Sequence, residues 1–105
     1  MRVLLSVLIA GLLGIAAQTA IAADASALAQ KGGCLACHSA DKKILGPSYK
    51  DVAAKYKGQK DAEEMLIKKV KAGGSGVWGP MPMPPNAGKL SDDEFKTVVD
   101  WILSL

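Results

Sequence analysis

The stretch Gly33-Cys34-Leu35-Ala36-Cys37-His38 holds both cysteines and the single histidine of the 105-residue chain. Two cysteines three apart on a turn of helix can reach vinyl groups on neighbouring pyrroles and form thioethers. A histidine directly after the second cysteine then lies under the iron. This Cys-x-x-Cys-His spacing is the attachment pattern of a c-type haem. A disulfide uses the same Cys-x-x-Cys spacing but has no need of the following histidine. A zinc site would find three ligands here and no fourth cysteine or histidine anywhere, too few to close a structural site.

What lies upstream favours haem. Arg2 gives a positive start, residues 3–17 are apolar apart from Ser6, and Ala20-Ile21-Ala22 offers a small-x-small cleavage site. This is the layout of a secretory signal peptide, and the apolar run falls short of the ~20 residues that span a bilayer. Residues 1–22 are therefore expected to be a leader cleaved after Ala22, or one residue later, leaving 23–105 as one folded domain outside the cytoplasm. So short a chain rarely stabilises itself by a hydrophobic core alone; a covalently held macrocycle would be its staple. Without Arg2, 12 lysines face 10 acids. The balance is too weak for a nucleic-acid binder, and no basic stripe appears.

Four short helices follow from periodicity and caps. The first begins at Asp24, with Ala25, Leu28 and Ala29 at helical spacing, and is stopped by Gly32-Gly33. Ser48 can cap a second, 49–56, whose apolar face would use Val52, Ala53 and Tyr56. A third runs from about 61 to 72, with Ala62, Met65, Leu66, Lys69 and Val70 on one side. Ser91-Asp92-Asp93-Glu94 is a capping box for the last, whose stripe is Phe95, Val98, Val99, Ile102 and Leu103. Phe95, Val98 and Ile102 are expected to meet Leu28 of the first helix. No alternating strand pattern appears. A long loop, 73–90, carries four of the five prolines. The candidates for a second axial ligand are three methionines, with the lysine amines as weaker ones: Met65 sits on a helix face, while Met81 and Met83 lie in Trp78-Gly79-Pro80-Met81-Pro82-Met83-Pro84-Pro85-Asn86. Prolines restrict φ there and would hold a weak thioether in place; physics alone does not choose between Met81 and Met83.

The mature chain resembles the small bacterial class I cytochromes c of the cytochrome c-551/c-552 type, also called cytochrome c8. The likeness covers essentially all of it: the haem motif, Gly46-Pro47-x-Tyr49-Lys50-Asp51-Val52-Ala53, the proline-rich run from Gly76 to Asn86, Ser91-Asp92-Asp93-Glu94 and Trp101-Ile102-Leu103-Ser104. It implies an all-α fold of about four helices around one haem c, held by Cys34 and Cys37, with His38 and Met83 as axial iron ligands and Met81 at a variable apolar position. It also implies that the Pro47 carbonyl accepts a hydrogen bond from the other nitrogen of His38, that Trp78 reaches a propionate, that Asn86 bonds near the Met83 sulfur, and that Lys69 lies near a propionate. Gly88-Lys89-Leu90 departs from shorter members and affects only the local loop path.

With both axial positions filled by protein, iron keeps no open site for substrate. The expected function is a soluble, monomeric periplasmic one-electron carrier between a respiratory donor complex and a terminal reductase or oxidase, and not an enzyme. The alternatives are a haem enzyme or gas sensor with a labile methionine, and a thiol oxidoreductase. Docking is expected through an apolar patch around an exposed haem edge, ringed by lysines such as Lys31, Lys42 and Lys43.

Overall fold

The computed structural model describes the backbone of residues 13–105 and the side chains from residue 21 onward. The elements are α1 (Leu13–Lys31), α2 (Tyr49–Tyr56), α3 (Ala62–Ala72), β1 (Gly74–Gly76), β2 (Gly79–Met83) and α4 (Asp92–Ser104), with a single 3₁₀ turn at Cys34–Ala36. The first part of the expected leader, residues 1–12, lies outside the described residues. Among the described residues no helix is long and apolar enough to cross a membrane.

Helix α1 starts well before the expected Asp24. From Ile15 to Lys31 the chain contains no glycine or proline, so nothing local interrupts the helix and it runs unbroken through the expected cleavage point. It ends where expected, with Gly32 and Gly33 N–H groups bonding the Leu28 and Gln30 carbonyls at 2.9 and 3.0 Å. Ser48 caps α2 by accepting from the Asp51 N–H at 3.1 Å. The capping box of α4 is complete. Glu94 N–H donates to the Ser91 hydroxyl, and the Glu94 carboxylate accepts from the Ser91 N–H.

Helix α4 is the central element, packing on α1, α2 and α3. Its buried stripe is Phe95, Val98, Val99 and Ile102. Phe95, Val98 and Ile102 join Ala29, Tyr49 and Leu90 in one buried cluster. Against α4, α1 offers mainly two fully buried alanines, Ala25 and Ala29, while the expected Leu28 packs half-buried at the edge. Alanines let the two backbones come close; a leucine at the crossing would hold them apart. Burying each large side chain of the stripe contributes roughly 1.5–3 kcal/mol.

The proline-rich loop contains what the periodicity does not signal: an antiparallel two-stranded hairpin, with Gly74 opposite Met83 and Gly76 opposite Gly79. Its residues are mostly exposed. With no face to bury, Gly-Ser-Gly and Gly-Pro-Met-Pro-Met have no reason to alternate in polarity. Extended backbone comes instead from the restricted φ of Pro80 and Pro82. The hairpin adds to the four-helix reading and leaves the fold class unchanged.

The haem site

Beneath α4 lies a cavity of about 290 Å³, walled mainly by apolar side chains from α2, α3, α4 and the hairpin. Its size is close to the lower bound of ligand-sized pockets, ~300 Å³. The 3₁₀ turn brings Cys34, Cys37 and His38 to this cavity, and β2 brings Met83 to it. The turn is closed by the Cys37 and His38 N–H groups, both donating to the Cys34 carbonyl at 3.2 and 3.0 Å. Both cysteines are free thiols, half-buried. Burial pushes the Cys34 thiol above its ordinary range.

The segment after His38 folds back over it. Gly46 N–H donates to the Cys37 carbonyl at 2.8 Å, which lays Gly46 flat on the imidazole; a Cβ there would collide with the ring. His38 Nδ1 is 2.7 Å from the Pro47 carbonyl oxygen. A carbonyl can only accept, so Nδ1 carries the proton and Nε2 is left with a free lone pair. On the ring's flank, Tyr49 stacks at 5.4 Å between centroids and 21° between planes. Trp101 meets Tyr49 edge-on at 5.6 Å.

The three candidate methionines all line the cavity, and burial separates them. Met81 is 59% exposed and Met65 40%, whereas Met83 is half-buried at the root of the hairpin. Gly73, with φ of 71°, makes that root possible: a Cβ would strike the backbone of Met83, Pro84 and Pro85. Lys69 and Trp78 also line the cavity. The Lys69 ammonium lies over Gly74, and Lys55 places its ammonium 5.8 Å from the Trp78 ring centroid. Asn86, expected to bond near the Met83 sulfur, is buried beside that segment. Its amide donates to the Pro84 and Val70 carbonyls at 2.9 and 3.2 Å, so both amide hydrogens are engaged in tying the segment after Met83 to α3. Sequence reasoning missed Gly46 as a packing surface for His38, and it missed the Tyr49 stack; the Gly-Pro pair eight residues beyond the histidine was the available signal.

A covalently bound haem fits these residues. Two unbonded thiols, a tautomer-fixed imidazole and a thioether share one apolar cavity. The Tyr49 hydroxyl, buried in the same lining, has no hydrogen-bond partner among the described residues. Among the described residues, no three His, Cys, Asp or Glu side chains form a cluster that could hold a free metal ion.

A helical shell with such a site defines a c-type haem protein. The sequence model of the family described as Cytochrome c matches residues 22–105, and the chain belongs to that family. It is 54% identical to cytochrome c-551 of Pseudomonas aeruginosa over 101 residues, covering 96% of this chain and 93% of the relative. It is 53% identical to cytochrome c-552 of Hydrogenobacter thermophilus over 78 residues, covering 74% of this chain and 78% of the relative. The crystal structure of wild-type Nitrosomonas europaea cytochrome c552 superposes with a TM-score of 0.72 at 50% identity, covering 76% of this chain and 98% of that one. The chain is thus a class I cytochrome of the c-551/c-552 type, a haem c electron carrier whose partners are redox proteins.

Proposed function

We propose that the chain is exported, loses residues 1–22 or 1–23, and works in the periplasm as a monomeric one-electron carrier with His38 and Met83 as the axial ligands of its iron. When bound, the haem supplies a single electron through the ferric/ferrous couple. The chain's own residues hold that couple steady. Pro47 fixes the His38 tautomer, which supports the basicity of Nε2. Met83 offers a thioether, a pairing with histidine that raises the potential. The apolar lining excludes water. Trp78 and Lys69, at the cavity, are the donors for propionate oxygens. Asn86 steadies Met83 through the backbone that follows it.

The observation that carries the ligand reading is that His38, with Nδ1 held by Pro47, and the half-buried Met83 line the same cavity. The apolar residues Leu35, Ile44 and Leu45 are exposed around the attachment segment and form the docking patch, with Lys31, Lys42 and Lys43 about it. With a charge balance so near neutral, long-range steering contributes little to encounter; short-range apolar contact supplies the rest. The partners in this reading are a donor complex of a respiratory chain and a terminal reductase or oxidase.

Paired substitutions test the ligand assignment. Met83→Leu is expected to abolish the weak red-end sulfur-to-iron absorption band and to lower the reduction potential. Met81→Leu, a volume-conserving apolar swap costing less than ~1.5 kcal/mol, is expected to leave both in place. Exchange of these outcomes would transfer the role to Met81.

A further inference from the structure

The hairpin is tied to the helices at its root, where Gly73 lies against the Met83 backbone and Asn86 bonds to α3. Its tip has no such tie. Val77 and Trp78 make the turn between the paired Gly76 and Gly79. The glycines bring no side chain to anchor it, and Val77 is mostly exposed. Among the described residues, no hydrogen bond or ion pair joins residues 75–82 to any other segment. One directed contact remains. Lys55, on the exposed side of α2, has its ammonium 5.8 Å from the centroid of the Trp78 ring and 5.7 Å from that of Tyr56. Both distances fall within the ~6 Å reach of a cation–π contact, and tryptophan is the best ring for one. Lys55 has no carboxylate partner among the described residues, so no ion pair competes for its charge. Tyr56 and Trp78 both line the haem cavity, one from α2 and one from the hairpin. The lysine therefore joins two walls of that cavity at its solvent edge.

We propose that Lys55 is a positioning residue for Trp78: its ammonium, shared by the Tyr56 and Trp78 rings, pins the hairpin tip to α2 and keeps the indole at the cavity. The role assigned to the indole rests on the reading of Trp78 as a propionate donor. An exposed hairpin opens locally, at a free energy far below that of global unfolding. A contact made only in the closed state shifts that opening by its own strength. For an exposed cation–π contact the shift is roughly two- to fivefold. The root is braced separately by Asn86, so Lys55 governs the tip and not the Met83 end. The methylene stem of Lys55 is not the active part; the charge over the rings is.

Amide hydrogen exchange of the holoprotein, read by NMR, tests this. Lys55→Met keeps an unbranched apolar stem and removes the charge, and Lys55 is exposed, so the core stays untouched. Exchange of the hairpin amides, residues 74–83, is expected to rise roughly two- to fivefold, with the α4 amides unchanged. Lys55→Arg should restore the wild-type rates, because a guanidinium also stacks on aromatic faces. In a Trp78→Leu background, Lys55→Met should add nothing. The indole N–H of wild-type Trp78 is followed separately: exchange as fast as a free indole would strike the propionate reading, whereas the hairpin amides decide the clamp. Equal hairpin exchange in wild type and Lys55→Met, no recovery in Lys55→Arg, or the same acceleration with and without the Trp78 ring would each overturn the proposal.

Discussion

Gly46 shows how a single residue conditions the proximal side. Its backbone lies so close to His38 that a side chain of any kind would enter the imidazole, and the next residue supplies the carbonyl that holds Nδ1. Gly46→Ala must push the ring away from Pro47 or push the loop away from the ring. Overpacking of this kind costs about 1–3 kcal/mol. The expected outcome is a lower thermal midpoint together with partial loss of the visible spectrum of the proposed His38 ligation, both read on the purified holoprotein. A variant with wild-type stability and spectrum would show that the loop yields without cost.

Among the elements, α4 is held at its start by one carboxylate with two duties. Glu94 accepts the Ser91 N–H within the capping box and forms a 2.9 Å ion pair with Lys31 at the end of α1. The Ser91 backbone hydrogen bond first, and the Lys31 ammonium after it, hold this carboxyl below its ordinary range. A carboxyl lowered in the folded state stabilises above its unfolded value, about pH 4.3, and that contribution is lost as pH falls through the lower folded value. Glu94→Gln keeps an acceptor for the cap and loses the charge. Thermal melts should show the variant less stable than wild type at pH 7, with the gap closing as wild-type Glu94 is protonated in acid. A constant gap across that window would assign the effect to packing. The helices were legible from such local features, because caps and 3.6-residue periodicity act within a turn or two. The hairpin was not, because its pairing is backbone to backbone across exposed strands.

For the molecule as a whole, α4 touches every other helix, yet the cavity beneath it takes up the inward faces of α2, α3 and the hairpin. Those faces have their common centre only when that volume is filled. A ligand that binds the folded state alone adds its binding free energy to folding, and a covalent one cannot be diluted away. Replacing Cys34 and Cys37 together with Ala is expected to leave a haem-free chain with little stable helix at room temperature, measured by far-ultraviolet circular dichroism. A cooperative, fully helical melt would show that the cluster of Ala29, Tyr49, Leu90, Phe95, Val98 and Ile102 suffices alone.

The cofactor, its attachment points and the four helices were determined by the sequence itself, since each depends on residues close along the chain: Cys34, Cys37 and His38 within one turn, Ser91 and Glu94 within another. Which methionine shares a half-buried wall with His38, how Asn86 braces α3, and how Tyr49 comes to stack on the imidazole depend on contacts between segments far apart in sequence. Those follow only when the 39–48 segment and the 73–90 loop fold onto the cavity, because burial and the direction of a hydrogen bond are properties of the packed molecule and not of a spacing.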